Sequence, residues 1–308
     1  MLKTKEKIVY KAFGYKIVSD ISFPELPVVG ESTEKQDIQI EFGDFTKHKK
    51  ELENNPYFHA VLDNQVLFYV PDVAFFSIQE GSKILFSPKH NVEEDLLRLY
   101  LLGTCMGVIL MQRNILPLHG SAIEIDGKAY AFIGESGAGK STLASAFMKR
   151  GFSLVSDDII PVSFENSIPF VIPSYPQQKL WQESLDHLGM DSTKLKPIYE
   201  RETKFNVPVQ TKFTGRPLQL AGIFELSKQN LGEVNLLKIG KLQSLKTLFA
   251  HTYRNFLIPR LGILDWHFII STRIINDLNI FRLQRPMNGY TANDLVSLVL
   301  GTINKEDK

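Results

Sequence analysis

The sequence predicts a mixed α/β fold, with a small β-rich N-terminal region over 1–90 followed by a larger α/β domain over 91–308. Three observations predict it. The chain has 308 residues, of which 44% are apolar and 22% charged. That is an ordinary globular balance, which excludes a disordered or fibrous chain. The first ninety residues carry short alternating runs bounded by turn residues. Near the middle, a glycine-rich string sits between an apolar strand pattern and a helical one.

Taking the elements in order, Ile8–Val18 is rich in aromatic and β-branched residues and reads as strand. Ile38–Phe42 alternates cleanly, and Gln65–Val70, Ala74–Ile78 and Lys83–Phe86 are short apolar runs between Asn, Pro, Gly and Ser. Asn91 is placed as a helix N-cap, with Glu94 three residues on as its capping-box partner. The helix it starts runs to about Gln112 and is assigned to the second domain. It is apolar nearly all round, which predicts burial. Its most apolar stretch, Leu99–Met111, is too short to span a bilayer.

Ala122–Ile125 and Ala129–Ile133 flank Asp126-Gly127, a strong hairpin signal. A helix over Ser141–Arg150 follows, ended by Gly151. Phe152–Val155, Ile159–Val162 and Ile168–Ile172 read as strands, as do Ala221–Leu226, Val234–Ile239 and Ile280–Leu283. Helical patterns cover Gln177–Leu188, Leu242–His251, Asp265–Asp277 and Thr291–Leu300.

Charge and cysteine content narrow the function. Thirty-five Lys and Arg against 34 Asp and Glu leave a net charge of +1, so no global field draws the chain to nucleic acid or to an acidic membrane. The lone cysteine, Cys105, cannot staple the fold and reads as a helix-core residue; no Cys/His cluster has zinc spacing. The basic N-terminus lacks the apolar stretch of a signal peptide, and the chain is expected to be cytoplasmic.

Gly134-Glu135-Ser136-Gly137-Ala138-Gly139-Lys140-Ser141 completes the G-x-x-x-x-G-K-[ST] phosphate-binding pattern, in the required position after a strand and before a helix. The glycines let the backbone wrap a phosphate, and the loop N–H groups and helix N-terminus supply positive potential. Lys140 is expected to reach the β- and γ-phosphates of ATP, with the Ser141 hydroxyl on Mg²⁺ and Thr142 beside it. The competing reading is a glycine-rich turn without a ligand.

Asp157 and Asp158 follow the strand pattern Phe152–Val155, seventeen residues after Lys140. An acid at a strand end beside a P-loop serves a metal or a nucleophile, where otherwise it would be a turn carboxylate. The short spacing places their strand directly next to the P-loop strand. His119, taken alone, is a structural histidine. Lys204, Arg216, Arg254 and Arg260 are candidate cations, with Lys204 and Arg254 singled out as phosphate or substrate contacts; the alternative for each is solvated surface charge.

Leu118–Asp158 resembles the kinase core of HPr kinase/phosphorylase. His-Gly, a strand pair, G-x-S-G-x-G-K-S, a short helix ending in Lys149-Arg150-Gly151, an apolar strand and Asp-Asp occur in that order. The resemblance implies the P-loop α/β fold shared by HPr kinase and phosphoenolpyruvate carboxykinase. It gives Asp157 the role of acid/base, His119 an active-site role, Lys140 the phosphates and Ser141 the metal, with Asp158 a second metal contact. Its cofactors would be ATP and Mg²⁺.

Two departures bear on the substrate. The family carries glutamate where this chain has Thr142, and its Glu-Ile-Arg-Gly-Leu-Gly-like signature has no counterpart between Glu200 and Ala221. Both argue against phosphorylase activity and against HPr as substrate. The opening AFGYKIVSDISFPELP is similar instead to HPr-kinase-like proteins of peptide natural-product clusters, some resembling serine kinases of lasso-peptide precursors. The expected partner is therefore a serine-bearing peptide or small protein, with no nucleic acid and no membrane. Better-known family members are hexamers, which raises a homo-oligomer as an expectation.

Other readings stay open: an HPr(Ser) kinase, a kinase of free serine or another small metabolite, and a non-catalytic nucleotide-binding protein. Retention of Asp157 argues against the last. Asp186-His-Leu-Gly189 and Asn304-Lys-Glu-Asp307 mimic GTPase motifs, but the first ends a helical pattern and the second lies in the charged tail. No LSGGQ-like string points to an ABC ATPase.

Overall fold

The structure is a computed structural model, and it describes residues 8–31, 36–54, 59–62, 65–198, 201–230 and 232–306. The basic stretch 1–7 and the last residue of the Asn304–Asp307 string lie outside them. The chain forms two compact units: Met1–Ile115 with Phe256–Ile263, and Leu116–Asn255 with Leu264–Lys308. The helical segment after residue 91, assigned from sequence to the second domain, falls within the first unit.

The first unit contains an eight-stranded sheet. Its strands are β1 (Ile8–Ala12), β2 (Tyr15–Ser19), β3 (Val28–Glu31), β4 (Ile38–Phe42), β5 (His59–Leu62), β6 (Gln65–Val70), β7 (Ala74–Gln79) and β8 (Lys83–Pro88), with α1 (Lys49–Asn54) between β4 and β5. Their order is β3-β1-β2-β4-β8-β7-β6-β5. The single strand expected over Ile8–Val18 is a hairpin, because Phe13 and Gly14 turn at φ 54° and 79°. Phe45, Leu52, Leu67 and Phe75 pack together where α1 meets this sheet.

The following helix is built differently from the expectation. It runs as α2 (Glu94–Tyr100), a π-helical turn Leu101–Cys105, and α3 (Met106–Gln112). Its N-cap is Glu93, with no side-chain cap bond, and Asn91 sits two residues earlier at φ 61°. Asn91 therefore serves a left-handed turn, which asparagine tolerates, rather than a capping box. Cys105 is fully buried in the π turn, as its helix-core reading required. The unit also holds α7 (Leu257–Arg260).

The second unit is a sheet covered by helices on both faces. Its main strands are β9 (Leu116–Ile125), β10 (Lys128–Ile133), β11 (Ser153–Glu165), β12 (Ile168–Val171), β16 (Leu218–Gln229), β17 (Asn235–Lys238) and β18 (Ile280–Pro286). They run in the order β10-β9-β11-β12-β16-β18-β17, and β10 also pairs with β16 in parallel, so part of the sheet closes on itself. Phe132, Phe147, Leu154, Phe224 and Leu283 form a core with α4 (Lys140–Lys149) and α9 (Ala292–Glu306). On the opposite face, Ile133, Val155, Ile160 and Ile223 pack against α6 (Lys241–Ala250) and α8 (Leu264–Asp277).

Three sequence expectations change here. The runs expected at Phe152–Val155 and Ile159–Val162 are one strand, β11, so Asp157 and Asp158 lie within it and not at its end. That strand pairs with β9, not with the P-loop strand β10. The helix expected over Gln177–Leu188 begins as β13 (Gln177–Trp181), and only Gln182–Leu188 is helix, α5. β13 belongs to a small sheet, ordered β13-β15-β14, with β14 (Lys196–Ile198) and β15 (Arg201–Pro208). Long-range pairing of Gln177–Trp181 with β15 overrides the local helical spacing.

Candidate functional site

The hairpin β9–β10 delivers the glycine-rich loop. β10 ends at Ile133, the loop turns through Gly134, Gly137 and Gly139 at φ 147°, 79° and 108°, and α4 starts at Lys140. These conformations favour glycine, which explains their spacing. The loop's first glycine lies against β16: a Cβ there would stand 2.4 Å from the Leu226 carbonyl oxygen. From β18, Arg285 donates to the Ala138 carbonyl at 2.9 Å and braces the loop from outside.

Lys140 folds back over the loop. Its ammonium donates to the carbonyls of Gly134 and Glu135 at 2.8 and 2.9 Å. Burial lowers its pKa to about 8, against the opposing pull of Asp157 and Asp158. An incoming anion would restore the charged form. Thr142 bonds the Ser184 hydroxyl at 2.7 Å, which joins the start of α4 to α5.

The two aspartates are held differently. Asp157, 5% exposed, accepts from the Ser121 hydroxyl at 2.5 Å and from the Lys179 backbone N–H at 2.9 Å. Burial raises its pKa, and these donors pull against that rise. Asp158, at φ 69°, accepts from the Lys179 ammonium at 2.6 Å. Burial would raise its pKa, but the Lys179 and His119 charges outweigh it and hold the carboxyl well below the usual range. Lys179 is correspondingly held above the ordinary lysine value by Asp158, despite its burial.

His119 closes the group. Its Nδ1 lies 2.9 Å from the Asp158 carbonyl oxygen and 3.6 Å from Oδ1. A carbonyl only accepts, so Nδ1 carries a proton toward it. Burial lowers its pKa, with Asp158 opposing. The position is fixed from below: His119 N–H donates to the His251 carbonyl at 2.7 Å, and Tyr253 N–H to the Pro117 carbonyl at 2.7 Å. The Tyr253 ring lies 5.8 Å from the His119 ring.

The predicted loop residues, His119, Asp157 and Asp158 thus meet in one place. Lys204 pairs across the small sheet with Trp181, two residues along β13 from Lys179, and its ammonium stands 5.4 Å from the Trp181 ring. Arg254, at φ 54°, sits over the Tyr253 ring at 5.5 Å. Arg216 is turned instead to Glu124 at 2.8 Å, and Arg260 belongs to the first unit with its guanidinium over Phe256. Sequence reasoning missed Ser121, Lys179 and Arg285. Ser121 had a usable signal in its place two residues after His119. Lys179 was hidden by the helical reading, and Arg285 lies 147 residues from its loop partner.

Among the described residues, no group of three or more His, Cys, Asp or Glu could hold a metal ion by itself. Mg²⁺ needs no such cage, because it binds through one or two protein oxygens with phosphates and waters. The hydroxyl and carboxylate oxygens of Ser141, Asp157 and Asp158 are hard donors of the kind it takes, so the residues fit. Among the described residues, no helix is long and apolar enough to cross a membrane.

No family model matches the chain. It is 28% identical over 187 residues to the HPr kinase/phosphorylase of Bordetella pertussis, covering 55% of each chain, and the Bordetella avium protein of that name gives the same figures. The HPr kinase/phosphorylase of Bacillus cytotoxicus is 27% identical over 150 residues, 37% of this chain and 47% of that one. The chain spans about half the length of the curated relatives it matches. Among solved structures, the Hpr(Ser) kinase/phosphatase from Coxiella burnetii gives a TM-score of 0.35 at 16% identity, over 62% of this chain and 99% of that one.

Proposed function

We propose that the protein is an ATP- and Mg²⁺-dependent kinase of HPr-kinase type that phosphorylates a serine hydroxyl on a peptide or small protein. The observation that carries the reading is the buried Asp157 carboxylate, held by the Ser121 hydroxyl and the Lys179 backbone N–H on the strand beside the hairpin that delivers the glycine-rich loop. Retention of this acid beside the glycine-rich loop favours transfer over nucleotide binding alone. The sequence similarity to HPr kinase/phosphorylases supports the same reading.

In this reading the loop amides of 134–142 and Lys140 bind the ATP phosphates. Ser141 and Asp158 hold Mg²⁺, which when bound neutralises charge on the β- and γ-oxygens. Asp157 takes the proton of the acceptor hydroxyl as its oxygen bonds to the γ-phosphorus, and the bond to the β-phosphate oxygen breaks to release ADP. His119 orients Asp158 through the carbonyl contact. Thr142 in place of glutamate favours a kinase without phosphorylase activity. A lasso-peptide or other natural-product precursor is the finer candidate for the acceptor, in a cytoplasmic setting; a homo-oligomer belongs to the same proposal.

The test is to incubate the protein with MgATP and serine peptides, HPr or free serine, and to follow one-phosphate mass shifts. Asp157→Asn should lower transfer by about 10²–10⁴-fold, the usual contribution of a positioned acid/base. Transfer at full rate by that variant would sink the mechanism. ATP binding without transfer to any acceptor class would favour the binding-protein reading.

A further inference from the structure

The small sheet beside the catalytic acids has two unlike faces. Along β13, Gln178 and Leu180 are buried, whereas Gln177 and Lys179 are half-buried and Trp181 is exposed. Buried Phe205 and Val207 of β15 join Leu180 in a core with Leu185 and Leu188 of α5. The other face is polar and aromatic. On it, Lys179 reaches Asp158, so this face is the one that meets the acids. Trp181 lies one two-residue step further along it, roughly 6.6 Å by strand rise.

Trp181 pairs across the strands with Lys204, whose ammonium stands 5.4 Å over the indole. The ring is large, 38% exposed, and carries its cation at the edge of the site. Such a contact is worth about 0.5–1 kcal/mol where exposed. Lying directly across from Trp181, Lys204 shares the face that carries Lys179. An extended peptide repeats its facing side chains at the same two-residue step.

We propose that Trp181 and Lys204 form an acceptor subsite that takes an acidic side chain two residues from the serine to be phosphorylated. This deepens the proposed kinase reading and rests on it. The occupant is an extended acidic peptide: Lys204 pairs with its carboxylate while Trp181 packs on the adjoining backbone and side-chain stem. A purely structural lysine–indole contact would not discriminate among acceptors, and an adenine-stacking tryptophan would respond to nucleotide instead.

The test walks one Asp, and in a control series one Lys, through positions −3 to +3 around a single serine in synthetic peptides. The expected result is at least a tenfold preference in kcat/KM for Asp two residues from the serine, expressed in KM. Lys204→Glu should invert it toward Lys, and Trp181→Ala should raise peptide KM with the KM for MgATP unchanged. A flat positional profile, or a profile that ignores Lys204→Glu, overturns the subsite while leaving the kinase reading intact. A rise in the KM for MgATP instead overturns it in favour of a nucleotide contact.

A second measurement needs no catalysis. The chain has two tryptophans, so Trp266→Phe leaves Trp181 as the sole indole emitter. Titration of its emission by the Asp peptide, and not by the Lys peptide, supports acidic-peptide binding at Trp181 and Lys204 even if no peptide is phosphorylated; absence of transfer to every acceptor class would then remove the kinase reading and leave a peptide-binding site. An emission change with MgATP alone, or with neither peptide, overturns the subsite.

Discussion

Replacing Gly134 with alanine should damage the fold and the nucleotide site together, by an amount the geometry sets. The added Cβ would stand 2.4 Å from the Leu226 carbonyl oxygen, where real Cβ atoms do not come within 3.0 Å. The backbones must part by at least about 0.6 Å. Neither is free to move: β16 is laddered to β10 on one side and β18 on the other. Overpacking of this kind costs about 1–3 kcal/mol. A non-glycine residue at φ 147° adds about 1–3 kcal/mol of backbone strain. The total, about 2–6 kcal/mol, corresponds to a fall in Tm on the order of 4–24 °C for a unit of this size. Gly137→Ala supplies the control, because its Cβ would meet nothing within 4 Å and only its φ of 79° is unfavourable. It should cost about 1 kcal/mol. Urea denaturation of both variants, with calorimetric titration of MgATP, reads the difference. Equal destabilisation by the two substitutions would refute the reasoning, since contact with β16 is what separates them.

Two further predictions concern charge. Lys179→Met strands the largely buried Asp158 carboxylate and should cost about 3 kcal/mol, near the low end for breaking a buried pair because Asp158 retains 23% exposure. Pairing it with Asp158→Asn should recover most of that loss in urea denaturation; a double variant as unstable as the single one would contradict the ion-pair account. His267 is buried, bonds the Thr252 hydroxyl at 2.8 Å, and has its pKa lowered to about 4 by burial. The folded state therefore resists a proton that the unfolded chain accepts near 6.5, so stability should fall as pH drops from about 6.5 to 4, by at most about 3 kcal/mol. His267→Gln, which keeps a hydrogen-bonding side chain and removes the charge, should flatten that part of the Tm-against-pH curve.

The loop and the hairpin that delivers it were legible because their signals are local. Asp126-Gly127 demands a two-residue turn, and the glycine spacing demands the positive φ angles found at Gly134, Gly137 and Gly139. Gly151, at φ 99°, ends α4 for the same reason. What stayed hidden was settled between distant residues. Ile133 pairs with Glu225 across the β10–β16 ladder, and nothing near either residue announces it. The strand order, which separates β11 from β10 by β9, is likewise a property of pairing and not of pattern. The Gln177–Leu188 segment shows the limit most clearly. Trp181, Leu185 and Leu188 have helical spacing, while Gln178 and Leu180 alternate as in a strand, and only pairing with β15 decides between them.

That misread strand is the element on which the acids depend. Adjacent residues of a regular strand face opposite ways, so Asp157 and Asp158 could not share one site on an undistorted β11. The register with β9 shifts between Leu154 and Ser156, and Asp158 adopts φ 69°, a conformation aspartate tolerates better than most residues. Lys179 then reaches both acids by different means, its backbone N–H going to Asp157 and its ammonium to Asp158. Only an extended β13 permits this. A helix begun at Gln177 would turn successive side chains by about 100° and lose the alternation that sends Lys179 to Asp158 and Gln178 to Ser145. Gln178, pointing the other way, accepts from Ser145 of α4 at 2.7 Å and so ties the same strand to the helix that follows the phosphate loop. The strand character of five residues thus sets the relation between the glycine-rich loop and Asp157, and a change that turns Gln177–Trp181 helical would dismantle the site with every candidate catalytic side chain still present.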